Sequence, residues 1–121
     1  MIKQLKFVGV PTRDIEAALE FWTTKIGFTI RTDQPMGGGK RWLELAIPGA
    51  QTGITLFTPE GHEDRVGTFF NGSFACDDVD YTYRQYLARG VVFEGPPEQQ
   101  PWGSFAKFKD PDGNVFVLSS R

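Results

Sequence analysis

The chain carries one pattern twice, and a fold built from this sequence has to accommodate the duplication. Phe7-Val8-Gly9-Val10 leads to Asp14-Ile15 and a helical stretch that ends at Gly27. Phe74-Ala75-Cys76 leads to Asp78-Val79 and a helical stretch that ends at Gly90. The two aspartates stand 64 residues apart and the two glycines 63. Leu45-Ala46-Ile47-Pro48-Gly49 before Ile54-Thr55-Leu56-Phe57 likewise parallels Phe108-Lys109-Asp110-Pro111-Asp112-Gly113 before Val115-Phe116-Val117-Leu118, with the prolines 63 apart.

Each copy has its own local logic. Ile15, Ala18, Leu19, Trp22 and Ile26 recur at helical spacing, with Asp14 placed to cap the first turn and Lys25-Gly27 to end it. Val79, Tyr83, Tyr86 and Leu87 form the matching stripe, between Asp78 and Arg89-Gly90. Strand-like runs cover residues 3–10, 27–32, 40–48 and 53–58, then 68–76, 91–95, 103–109 and 114–119. Pro-Gly and Asp-Pro-Asp-Gly supply the turns before the last strand of each copy, and Gly37-Gly38-Gly39 reads as a hairpin tip, since a strand follows it where a phosphate loop would open a helix. The expected fold is α+β: two tandem β-α-β-β-β modules. The 121 residues then form a single domain, with module one at about 1–58, a linker at about 59–66 and module two at about 67–121.

Charge and composition narrow the function. Thirteen Lys and Arg against fifteen Asp and Glu give a net charge of -2 with no basic run, so no nucleic acid partner is expected. No apolar run is long enough for a membrane span and residues 1–6 lack a signal-peptide core, which points to a cytoplasmic protein. The lone cysteine, Cys76, fits a reducing compartment and reads as a core residue. The lone histidine, His62, sits in the polar linker and reads as solvated. An aromatic share of 14%, with 11 Phe, suggests that some rings line a cavity or an interface.

Strand alternation proposes which rings those are. If Leu43, Leu45 and Ile47 pack on the helix, Trp42, Glu44 and Ala46 share the other face. If Ala106 and Phe108 are core, Phe105 and Lys107 are not. The 63-residue offset sets Phe105 on Trp42 and Lys107 on Glu44. Thr55 and Phe57 share a face in the first copy, as do Val115, Val117 and Ser119 in the second, and Trp102 stands just before the strand of Phe105. A curved sheet with such a face makes a ligand cleft, apolar with a few placed polar groups. Two other readings stay open: charges projecting from an ordinary exposed face, and rings buried in a dimer interface.

Val10, Asp14-Ile15, Ala18, Phe21-Trp22, Ile26-Gly27-Phe28, then Phe74-Ala75-Cys76-Asp77-Asp78-Val79-Asp80, Arg89-Gly90-Val91 and Asp110-Pro111-Asp112-Gly113-Asn114 closely resemble the vicinal oxygen chelate superfamily, over essentially the whole chain. That group includes glyoxalase I, extradiol dioxygenases, fosfomycin-modifying enzymes and bleomycin-resistance proteins. The resemblance implies two modules whose curved sheets form a cup with the helices outside, in a homodimer. Metal-dependent members hold a divalent ion with His, Gln or Glu from the first and last strands of each module. By motif those positions fall here on Phe7, Thr55, Asn71 and Val117, none of which is such a residue. A divalent ion needs several oxygen or nitrogen donors, so neither metal nor other cofactor is expected.

The leading expectation is therefore a metal-free small-molecule-binding protein similar to the bleomycin-resistance branch. It would hold an apolar or aromatic ligand through Phe7, Trp42, Glu44, Thr55, Phe57, Asn71, Trp102, Phe105, Lys107 and Val117. The alternative is a glyoxalase-like lyase or isomerase with an altered or absent metal site, in which Glu44 is the candidate catalytic residue, a general base. A third reading leaves the cup vestigial and the role dimerisation.

Overall fold

The computed structural model describes residues 1–120. Its elements follow the duplication: β1 (Phe7–Pro11), α1 (Ile15–Glu20), β2 (Thr29–Gly37), β3 (Lys40–Ala46) and β4 (Gly53–Phe57), then β5 (Asn71–Ala75), α2 (Val79–Ala88), β6 (Val92–Phe93), β7 (Glu98–Gln100), β8 (Gly103–Lys109) and β9 (Val115–Ser119). The chain divides into two compact units, Met1–Asp64 and a second beginning at Arg65. A 3-10 turn, Glu63–Arg65, spans the division. Both units are α+β, one helix with a sheet, in strand order β1-β4-β3-β2 and β5-β9-β8-β6, with β7 also on β8.

In the first unit, Asp14 lies in extended backbone and its carboxylate accepts the Ala17 amide at 3.1 Å, so the cap read from sequence is made. Past Glu20 the helix does not stay α-helical. Phe21–Ile26 is a π-helical segment that ends on Gly27, whose φ of 100° only glycine adopts cheaply. The wider turn shifts the apolar stripe in phase. Adjacent Phe21 and Trp22 are therefore both buried, with their rings edge to face at 5.1 Å, and Trp22 stacks on Phe28 at 5.4 Å. Against them lie Val10, Leu43, Leu45, Ile54 and Leu56, all buried. Parallel pairing of β1 with β4 matches Phe7 to Gly53, Gly9 to Thr55 and Pro11 to Phe57.

The second unit repeats the scheme with more aromatic packing. Asp78 caps α2 through the Tyr81 amide at 3.0 Å, and β5 pairs with β9 in parallel, Ser73 against Val117. Phe116 lies 5.4 Å from Phe108 and 5.6 Å from Phe74, while Phe93 bridges Phe108 and Tyr83. Much of the phenylalanine surplus is thus core rather than pocket.

Several boundaries differ from the sequence reading. Residues 3–6 precede β1 rather than belong to it, and β2 runs on to Gly37, past residue 32. The run 91–95 shrinks to two paired residues, and β7 appears where no strand is expected, in Glu-Gln-Gln with no apolar alternation. Leu87 does not join the stripe of α2: it is 48% exposed, and Val79, Tyr83 and Tyr86 carry the packing. Cys76 lies one residue beyond β5, only partly buried, with burial pushing its thiol pKa up.

The Asp-Pro-Asp-Gly-Asn turn is a buried polar knot. Asp110 accepts the amides of Asp112 and Asn114 at 3.0 and 2.9 Å and the Asn114 side-chain amide at 2.9 Å. Asn114, 1% exposed, in turn accepts the Gly67 amide at 3.1 Å. Gly67 has φ +82°, and a Cβ there would stand 2.1 Å from the Asp112 carbonyl oxygen, so the strand-to-strand turn and the start of the unit fit only around a glycine. Burial pushes the Asp110 carboxyl up from 3.8 to about 6, against the opposing pull of its hydrogen bonds. A folded pKa above the unfolded one means that the native state binds the proton more tightly. The protonated carboxyl therefore adds stability at low pH that is lost as pH rises through about 6. The unfolding free energy of the wild type, relative to Asp110→Asn, should grow by about 2 kcal/mol between about pH 7 and pH 4. Urea titrations of the two proteins across that range check this; a flat or falling difference contradicts it.

Candidate functional site

Register fixes what shares the face of the first sheet turned from α1. Glu44 pairs with Thr55, Ala46 with Gly53, and Gln34 with Trp42, so Phe7, Gly9, Trp42, Glu44, Thr55 and Phe57 all project to one side. The other side holds the buried Val10, Leu43, Leu45, Ile54 and Leu56. The alternation read from sequence therefore has the right phase for β3.

The side chains on this face interact closely. The Trp42 indole Nε1–H donates to Glu44 Oε1 at 2.7 Å, and the Phe7 ring meets the Trp42 ring edge to face at 5.6 Å. Phe7 and Trp42 stand on β1 and β3, with β4 between them, so the two rings lean toward each other across the strand that carries Thr55. Thr55 is only 5% exposed, while Trp42 and Phe57 remain 38% and 44% exposed. Phe57 lies against Gly9, where an added Cβ would stand 3.0 Å from the ring. The Lys6 ammonium sits 5.8 Å from the Phe7 ring centroid.

Arg41, next to Trp42, braces this hairpin. Its Nε and one terminal nitrogen grip both Asp33 oxygens at 3.1 and 2.7 Å, and its other nitrogen reaches Glu16 on α1. The fork holds the Asp33 carboxyl below its ordinary range. Exposed ion pairs add little stability, but this one ties the strand of Trp42 to the helix.

In the second unit the comparable face carries Asn71 and Ser73 on β5, Val115, Val117 and Ser119 on β9, and Phe105 and Lys107 on β8. Lys107 pairs with Val117 and is exposed; Phe105 pairs with Ser119 and with Glu98 of β7. Trp102 is 47% exposed and stacks on Phe105 at 6.0 Å. Asn71 opens β5, exposed, two residues from the position that pairs with Val117. Phe7 stands in the same way two residues from Gly9, the partner of Thr55.

Sequence reasoning passed over Gly9, Ser73 and Arg41. Phe7 is named through the family motif; alternation along β1 puts Gly9 on the same face, and the 64-residue offset carries Gly9 to Ser73, so both were within reach, whereas Arg41 carries no periodic signal. Among the described residues, no three His, Cys, Asp or Glu side chains come together as a metal-holding group. A separate shallow groove follows the junction of α1 and β2, lined by Ala17, Glu20, Thr23, Thr24, Thr29 and Ile30, and shares none of the candidate residues. No helix among the described residues is long and apolar enough to cross a membrane.

Comparison with known proteins agrees with this architecture. The Bacillus subtilis (strain 168) protein YetH is 42% identical over 98% of each chain. Among solved structures, TnmS3, described as an antibiotic binding protein from Streptomyces sp. CB03234, is 37% identical, covers 98% of this chain and 95% of its own, and superposes with a TM-score of 0.85. A glyoxalase/bleomycin resistance protein/dioxygenase superfamily member from Sphaerobacter thermophilus is 33% identical over 98% and 97%, with a TM-score of 0.86. With a family model matching residues 4–118, the chain belongs to the Glyoxalase/Bleomycin resistance protein/Dioxygenase superfamily.

Proposed function

We propose that this chain is a small-molecule-binding protein that takes an apolar or aromatic ligand on the helix-free face of its first sheet and needs no metal to do so. The observation that carries the reading is the contrast on that face. Trp42 and Phe57 leave over a third of their surface open beside a buried Thr55 and a placed carboxylate, Glu44. Large rings left open to water cost free energy that a covering ligand recovers. The likeness to a protein described as antibiotic binding supports a binding role.

The donor chemistry supports the metal-free part. A divalent ion at the superfamily's positions would face Phe7, Thr55, Asn71 and Val117, which offer one hydroxyl and one amide where several strong donors are needed. The lyase or isomerase alternative asks Glu44 to take a proton from substrate. Its Oε1 already accepts the Trp42 indole hydrogen, an arrangement that suits recognition better than proton transfer. In the second module Asn71, Trp102, Phe105, Lys107 and Val117 offer a comparable face for ligand contact. We further propose a cytoplasmic homodimer without a nucleic acid partner, in keeping with the acidic composition and single cysteine.

Three outcomes are expected. Trp42→Ala should fold, with thermal unfolding within a few degrees of wild type, yet weaken binding of a naphthalene probe by about tenfold or more, read by calorimetry; unfolding instead would make Trp42 a core residue. Gly9→Ala should change stability by less than about 1 kcal/mol, because the half-exposed Phe57 ring can swing aside, while the displaced ring shows in Phe57 chemical shifts and in weaker probe binding. Light scattering should give about twice 13.6 kDa; a monomer at micromolar concentration overturns the dimer.

A further inference from the structure

The face of the first sheet carries a carboxylate whose partner is a neighbour's ring nitrogen rather than a cation. Glu44 Oε1 accepts the Trp42 indole hydrogen at 2.7 Å, and within its own module no other hydrogen bond or ion pair reaches the carboxylate. The basic residues nearest in sequence are committed elsewhere: Lys40 to Glu60 at 2.9 Å and Arg41 to Asp33 and Glu16. A half-buried carboxylate beside aromatic rings, with one neutral donor, has unmet capacity for charged hydrogen bonds. The rings around it also accept positive charge, since Phe7, in edge contact with Trp42, already has the Lys6 ammonium over its ring.

We propose that Glu44 is the recognition point for a protonated amine carried on an aromatic body, and that the Trp42 indole N–H stands in for that amine in the ligand-free protein. The ligand's aromatic part covers the exposed Trp42 and Phe57 rings. Its ammonium replaces the indole hydrogen on Oε1 or takes Oε2, which accepts no hydrogen bond within the module. The inference rests on the ligand-binding reading above and adds the charge that reading leaves open.

Three naphthalene probes of nearly equal shape separate the two: 2-(aminomethyl)naphthalene as cation, 2-(hydroxymethyl)naphthalene as neutral compound and 2-naphthoate as anion. By calorimetry at about pH 7 the amine should bind about tenfold or more tighter than the alcohol, and the carboxylate weakest, the increment expected of one charge-assisted hydrogen bond. Glu44→Gln should erase the preference for the amine, the amine losing about tenfold more affinity than the alcohol. Trp42→Phe removes the competing indole hydrogen and keeps a ring, so it should widen the preference of amine over alcohol, an effect that a merely structural role for Trp42 would not produce. In the wild type the Trp42 indole N–H resonance should shift on adding the amine and not the naphthoate. If the three probes bind alike, or the preference survives in Glu44→Gln, the amine proposal fails while the ligand face stands. If none of the three binds, the ligand face fails with it.

Discussion

Each module is held by the parallel pairing of its first and last strands, β1 on β4 and β5 on β9. Parallel neighbours need a long crossover, and here the helix and the strands that follow it, β2 and β3 in the first module and β6 to β8 in the second, supply it. Once Gly9 is fixed against Thr55 and Ser73 against Val117, alternation decides the rest: Val10, Ile54, Leu56, Phe116 and Leu118 go into the cores, and the remaining positions go to the opposite faces. The candidate residues are therefore a by-product of closing the module. A slip of one residue in the β1–β4 pairing would send Thr55 into the core and Leu56 out of it.

The duplication preserves positions and not chemistry. Trp42 and Phe105, like Glu44 and Lys107, occupy the same places in β3 and β8. In the first module the aromatic ring turns onto its own carboxylate. In the second the Phe105 ring stacks with Trp102, and Lys107 projects from an exposed position. β7 lies along β8 beside Phe105, where in the first sheet the far half of the longer β2 pairs with β3 beside Trp42. The cores diverge as well. A π-helical segment buries Phe21 and Trp22 side by side in one, and a cluster of Phe74, Phe93, Phe108 and Phe116 fills the other.

What the sequence made legible is whatever periodicity or capping controls. The two aspartate caps, the hairpin tip at residues 37–39, the phase of β3 and β8 and the repeat itself all follow from residue type and spacing. What escaped is set by tertiary contact. No local signal marks the π turn, because its phase shift is favourable only when both Phe21 and Trp22 find a core. Nor does one mark β7, whose Glu-Gln-Gln is a strand only through its bonds to β8. Leu87 looked inward on helical spacing, but a ten-residue helix with Val79, Tyr83 and Tyr86 already facing the sheet leaves it outside. For the candidate site the positions were legible and the interactions were not. Alternation names Trp42 and Glu44 as neighbours on a face, but nothing in the string says that one donates to the other or that Phe7 leans in from two strands away.

That interaction bears on how a face can remain open without collapsing. A lone carboxylate on an aromatic surface would stay hydrated and keep the rings apart; an indole hydrogen satisfies one oxygen and draws Trp42 down toward the sheet. Phe7 then packs on the indole edge, and Thr55 between them is covered. Phe57 lies on the other side of Thr55, over Gly9, where the missing side chain leaves room for the ring. The result is an aromatic surface ordered by its own contacts, with its polar atom held by the indole hydrogen. On the function proposed above, a ligand would lose little free energy to ordering such a surface, and discrimination would fall to the donor that competes for Glu44.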